Sequence, residues 1–308
     1  MTRGWSRGLW SVLALVGAIA GVLPAAAQDA TPTLPADGVL IVPLIRARVE
    51  QLPAAPAAAL LGRFSLAAGG EVATQTLDGP LVLFSESGSV TVQVEGPAAL
   101  SPASSIGTPA ATSPVTAGEP LTLAQGDVLT VPDGTGHALR IDGSEAASVI
   151  GVAVLPGEIR SPLPGMELTL LSAGVANGLP AGPDDVAMSR VTFGAGATRP
   201  KHGHPGPELL HVESGQLSLV VDTGEATYGP ASSGDVIPTA VTGPVMVAPI
   251  GEGVPLAAGS SLFVQPGLVG IAPNDATGNT VFVLCTIFPV AGGAPATPVA
   301  LDGGQISG

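Results

Sequence analysis

The stretch Gly194-Ala-Gly-Ala-Thr-Arg-Pro-Lys-His-Gly-His-Pro-Gly-Pro-Glu-Leu-Leu-His-Val-Glu-Ser-Gly215 carries three of the four histidines in the chain. On a strand, His202 and His204 are two residues apart and leave the same face. Pro205-Gly206-Pro207 forces a turn. Glu208 then opens the returning strand, so its carboxylate comes back beside the imidazoles. Two nitrogens and one oxygen converging on a face can hold a divalent ion; a polar strand end beside a loop explains an isolated His-x-His equally well. Beyond Glu208, Leu210 and Val212 share its face, whereas Leu209, His211 and Glu213 share the other. His211 is therefore expected to pack between sheets or domains rather than to ligate. Arg199 and Lys201, the only lysine, alternate with His202, which predicts outward, solvated side chains. Turned inward, they would attract a carboxylate. Nothing in the sequence places the hydroxyl of Tyr228 near these groups.

Working outward, period-two segments dominate. Val90, Val92 and Val94 alternate with Thr91, Gln93 and Glu95, and Leu217 and Leu219 with Gln216 and Ser218, the pattern of half-buried strands. Two runs, the apolar 149–155 and 281–288 with Thr286 as its one polar residue, read as central strands. Long helical periodicity is absent, and the best helix candidate is the short segment 57–61 after Pro56. The chain also repeats itself. Asp78-Gly-Pro-Leu-Val-Leu-Phe-Ser-Glu-Ser-Gly88 parallels Pro205-Gly-Pro-Glu-Leu-Leu-His-Val-Glu-Ser-Gly215 at an offset of 127 residues. Gly126-Asp-Val-Leu-Thr-Val-Pro-Asp-Gly134 parallels Gly259-Ser-Ser-Leu-Phe-Val-Gln-Pro-Gly267 at 133, which fits a loop insertion in the second copy. A repeat of this length is a domain duplication.

Gly196, five residues, His202, one, His204, three, Glu208, six, Gly215 matches the first signature of the cupin superfamily at every position. Gly126, five residues, Pro132, one, Gly134, two, His137 matches the second signature in the first half. Over roughly residues 40–290 the chain thus resembles a two-domain cupin, or bicupin. The resemblance implies an all-β chain of two antiparallel jelly-roll (double-stranded β-helix) barrels. It also implies a metal held inside a barrel by two His, one Glu and a later His. Both halves depart from that pattern. In the first, the ligand positions are Gln75, Leu77 and Leu81, and His137 is left without partners, so that barrel is expected to be metal-free and structural. In the second, the frame Gly259, Gly267 and Asn274 persists, but Gln265 replaces the usual Pro and Gly270 stands at the fourth-ligand position.

The expected organisation is a signal peptide at 1–27, a spacer at 28–38, a degenerate barrel at 39–156, a linker at 157–165, the metal-candidate barrel at 166–290 and a tail at 291–308. The signal rests on Arg3 and Arg7, an apolar stretch of 15 residues from Leu9, too short to span a bilayer, and Ala25-Ala26-Ala27. Gln28 becomes the new terminus, and the destination is secreted or extracytoplasmic, with no membrane span after removal of the signal. Cys285 is the only cysteine, so no intrachain disulfide forms. Its apolar run marks it as a small buried hydrophobe.

Composition narrows the function. The 43 glycines and 31 prolines are about a quarter of 308 residues, yet 45% are hydrophobic and 11% charged, which suits short strands and tight turns and not a disordered chain. Ten Lys and Arg against 24 Asp and Glu give a net charge of −14, which excludes nucleic acid as a partner. No nucleophile elbow or phosphate loop is present. The remaining expectation is an exported barrel protein whose second barrel binds a divalent Fe, Mn, Cu, Ni or Zn ion on His202, His204 and Glu208, a small ligand, or both. The alternative is a dioxygenase-like, metal-dependent oxidoreductase acting on a small organic molecule. A homo-oligomer is compatible with either.

Overall fold

A computed structural model of the chain describes residues 34–105, 112–157, 167–180, 182–234 and 245–290. The expected signal peptide, most of the spacer, nearly all of the linker and the tail lie outside these residues. The first half runs β1 (Val39–Val49), β2 (Ala57–Leu66), β3 (Glu71–Gln75), β4 (Leu81–Ser87), β5 (Val90–Val94), β6 (Ala99–Ser101), β7 (Ser113–Pro114), β8 (Pro120–Leu123), β9 (Val128–Val131), β10 (His137–Arg140) and β11 (Ala147–Pro156). The second runs β12 (Glu167–Ala176), β13 (Asp184–Phe193), β14 (Thr198–Gly203), β15 (Glu208–Ser214), β16 (Gln216–Thr223), β17 (Ala226–Pro230), β18 (Ser232–Gly234), β19 (Met246–Val247), β20 (Gly253–Ala257), β21 (Ser260–Val264), β22 (Val269–Pro273) and β23 (Thr280–Pro289). No α-helix occurs among the described residues.

These strands form two antiparallel jelly-roll barrels. One joins a sheet ordered β12-β2-β11-β4-β9-β6-β7 to a sheet β3-β10-β5-β8; the other repeats it strand for strand, β1-β13-β23-β15-β21-β17-β19 with β14-β22-β16-β20. Only β18, at the edge of the first large sheet beside β12, breaks the correspondence. The repeat extends to backbone conformation. Gly88 and Gly215 close equivalent turns at φ of 69° and 79°. A Cβ on Gly88 would meet Ala146 O at 2.8 Å, and one on Gly215 would meet Asn279 O, so only glycine fits both turns. The offset changes from 127 to 133 between β17 and β19, where β18 and residues 235–244 intervene.

The halves exchange their first strands. β1 pairs with β13 from Val39↔Phe193 to Val49↔Asp184, and β12 pairs with β2 from Glu167↔Ser65 to Ala176↔Ala57. Each barrel therefore takes an outer strand from the segment that the sequence assigns to the other. The segment 57–61 is the start of β2 and not a helix. It lies between β11 and β12 with every residue from Ala57 to Gly62 buried, and pairing on both edges outweighs the helical preference of alanine.

Three apolar clusters fill the unit. Leu60, Val92, Leu123 and Leu139 belong to the interior of the first barrel, and Phe193, Leu217, Val221 and Leu256 to that of the second. A third lies between the large sheets and includes Leu61, Ile150, Met188, Leu209, Phe263 and Val283. This explains the apolar runs. β11 and β23 are flanked on both edges, and their alternate residues enter a barrel interior and the inter-barrel core. Cys285 is 0% exposed in that core.

Candidate functional site

The end of β14, the turn after it and the start of β15 bring His202, His204 and Glu208 together in the second barrel. The imidazole centroids of His202 and His204 are 4.6 Å apart. His204 Nδ1 lies 2.9 Å from Glu208 Oε1, near enough to pair but out of line for a hydrogen bond. His202 Nδ1 is 2.8 Å from Pro200 O, which leaves Nε2 as the free ring nitrogen, buried and without a partner. His204 and Glu208 are both buried.

Arg199 joins them, contrary to the parity count. β14 pairs Arg199 with Ala272 and His202 with Gly270, so three steps on β14 face two on β22. This is a β-bulge. It occurs at Pro200, which has no N–H to give the ladder. The extra residue returns Arg199 to the face of His202: both are half-buried while Pro200 and Lys201 are exposed. The repeat agrees, because Val72, which stands 127 residues before Arg199, is buried in the first barrel's interior. Among the described residues Arg199 makes no hydrogen bond or close ion pair. Lys201 does face outward as expected, with Nζ 2.9 Å from Asp222 Oδ2.

The electrostatics follow from this enclosure. Burial alone would raise the Glu208 carboxyl, but His204, Arg199 and His202 outweigh it and hold it below the ordinary glutamate range. Burial lowers the pKa of His202, and the Arg199 charge lowers it further, so this imidazole is neutral at pH 7. Burial also lowers the Arg199 pKa, against the pull of Glu208, yet a guanidinium stays charged. The cluster is thus a cation, a carboxylate and two imidazoles in one barrel.

The donor types suit a divalent ion, but the arrangement does not. Among the described residues no three His, Cys, Asp or Glu side chains stand so as to hold a metal together. His204 is turned onto Glu208, and Arg199 adds a positive charge. Gly270 lies opposite His202 in the ladder, the place from which a fourth imidazole would come. A Cβ there would meet Val220 O at 2.8 Å, so a larger residue displaces backbone.

The other candidates fall elsewhere. Leu209 lies in the inter-barrel core while Leu210 and Val212 lie in the second barrel, which puts His211 on the inter-barrel side, beside the backbones of Leu171 and Ser260. Tyr228 packs on the apolar cluster of the second barrel. Asn274 is structural: its buried amide donates to Phe193 O, Gly194 O and Gly278 O at 2.8–3.0 Å.

No family model and no curated protein matches the chain. Among solved structures it is similar to a cupin 2 conserved barrel domain protein from Leptotrichia buccalis, at 16% identity and a TM-score of 0.35, over 80% of this chain and 89% of that one. It is similar to AerE from Microcystis aeruginosa at 10% identity and a TM-score of 0.41, over 80% and 99%. A third similar structure is a formate complex of oxalate decarboxylase from Lactobacillus farciminis, at 14% identity and a TM-score of 0.40, over 80% and 81%.

Proposed function

We propose that this is an exported binding protein whose second barrel takes a small acidic molecule. The observation that carries this reading is the charged Arg199 guanidinium, brought to the face of His202 by the bulge at Pro200 and left without a hydrogen-bonded partner among the described residues. A partly desolvated guanidinium gains most from a carboxylate, which it can engage with two parallel N–H bonds. The neutral His202 imidazole, with His204 beside it, would accept from, or donate to, the rest of the ligand. Glu208 sets the sense of the ligand by repelling a second carboxylate placed beside it. Calorimetric titration with lactate, a monocarboxylate, tests this reading: saturable binding that is lost in Arg199→Met supports it, and equal binding by both proteins refutes it.

A divalent ion is the second reading, favoured by the buried, unpartnered Nε2 of His202 with His204 and Glu208 beside it. It requires His204 to turn away from Glu208. Zinc or manganese titrated into chelator-treated protein separates the two: a metal that binds in Arg199→Met but not in His204→Ala favours the ion.

A further inference from the structure

At the positions equivalent to His202, His204 and Glu208 the first barrel carries no metal-ligand types, and a cavity adjoins them. Gln75, Leu77 and Leu81 precede His202, His204 and Glu208 by 127 residues. Gln75 pairs with His137 across the ladder just as His202 pairs with Gly270. All four of these first-barrel residues line a cavity of about 40 Å³, roughly three times the space one water molecule needs. Its remaining lining is aliphatic or aromatic, with Phe64 and Leu83 among it, and no charged side chain contributes. Two polar groups enter this wall. Gln75 Nε2 is buried and donates to nothing. His137 is buried, and burial lowers its pKa against the weak contact of its Nδ1 with Thr135 O at 3.4 Å, so the imidazole is neutral at pH 7.

We propose that the first barrel is a binding site for a small, neutral, mostly aliphatic molecule that carries one oxygen acceptor, a ketone or alcohol in size and polarity. The aliphatic wall takes the carbon chain out of water, and the oxygen accepts the hydrogen bond that Gln75 Nε2 otherwise leaves unmade. A carboxylate of the same size is rejected, since no cation in the wall compensates its lost hydration. This site is separate from the polar cluster of the second barrel and has the opposite preference for charge.

The test uses 2-butanone and propionate, which have the same number of heavy atoms and differ in charge. Amide resonances of β3 and β10 are followed by NMR in isotope-labelled protein. Saturable shifts with 2-butanone and none with propionate are expected. Gln75→Leu, which replaces an unpaired donor with an apolar group of similar size, should weaken 2-butanone binding at least tenfold. Absence of any saturable shift with 2-butanone overturns the proposal. So do equal shifts with propionate, or unchanged affinity in Gln75→Leu with a parent-like spectrum.

Discussion

Arg63 Nη2 lies 2.7 Å from Glu213 Oε1, a contact between residues 150 apart that joins the two halves. The repeat returns it in mirror form, with Arg190 Nη2 2.6 Å from Glu86 Oε1. Each arginine also bonds the glutamate of its own half, Arg63 Nε to Glu86 Oε2 at 2.7 Å and Arg190 Nε to Glu213 Oε2 at 2.8 Å. Both like pairs, Arg63 with Arg190 and Glu86 with Glu213, are 127 residues apart. The duplication has thus closed a ring of four charges. Each carboxylate meets two guanidiniums, and Ser148 Oγ adds a donor to Glu86 at 3.0 Å.

Opening the ring strands a half-buried charge. Arg63→Met should cost about 1–3 kcal/mol, between the cost of an exposed pair and that of a buried one. Urea unfolding measures it, and a loss below about 0.5 kcal/mol would make the ring a surface contact.

The pH dependence has two opposed parts. Burial raises the carboxyls of Glu86 and Glu213, but Arg63 and Arg190 outweigh it and hold both below the ordinary range. Their contribution is complete above the unfolded value near 4.3 and is lost as pH falls through the lower folded value. Asp184 has the other sign. Burial, and then the charge of Asp185, push it up to about 6, and neither of its oxygens has a partner. Its folded form holds a proton that the unfolded form has released, so the cost is absent below about pH 4 and complete above about pH 6. Asp184→Asn should therefore raise the melting temperature at pH 8 and leave it nearly unchanged at pH 3.5. An equal shift at both values would show that the effect is not titration.

Gly270→His supplies the imidazole that the cupin pattern has at this position, but its Cβ meets Val220 O at 2.8 Å. The variant should lose about 1–3 kcal/mol of stability through the forced backbone shift. Comparison with Gly270→Ala separates the clash from the imidazole: both should lose stability, and a parent-like Gly270→Ala would contradict the clash.

Cys285 should be inert to thiol reagents in the native protein. Burial first, then the Glu208 charge, push its thiol far above the ordinary range, and the thiolate is the reactive form. Modification should appear only with unfolding; native-state labelling would place Cys285 outside the inter-barrel core.

Much of the fold was legible because alternation is local. The valines of β5, the apolar runs of β11 and β23 and the turn glycines each state their role within a few residues. The exchange of β1 and β12 was not legible, since either strand's apolar row fits either large sheet and the choice lies in pairings over a hundred residues away. Within the site, His202, His204 and Glu208 were found by strand parity across a clear turn. Arg199 was missed because parity was counted straight through Pro200, and a bulge moves every residue before it by one face. The missing N–H of Pro200 and the buried counterpart Val72 were the available signals. The charge ring was not legible: Arg63 and Arg190, like Glu86 and Glu213, stand at matched offsets, but four solitary charges on separate strands carry no sign of meeting.

The most direct test of the proposed binding function is calorimetric titration of chelator-treated protein with lactate, run on the parent and on Arg199→Met. Saturable binding by the parent, weakened at least about tenfold, or 1.4 kcal/mol, in the variant is expected if the bulge at Pro200 turns this guanidinium into the second barrel. Equal affinity in the two proteins, or no binding by the parent, would contradict it.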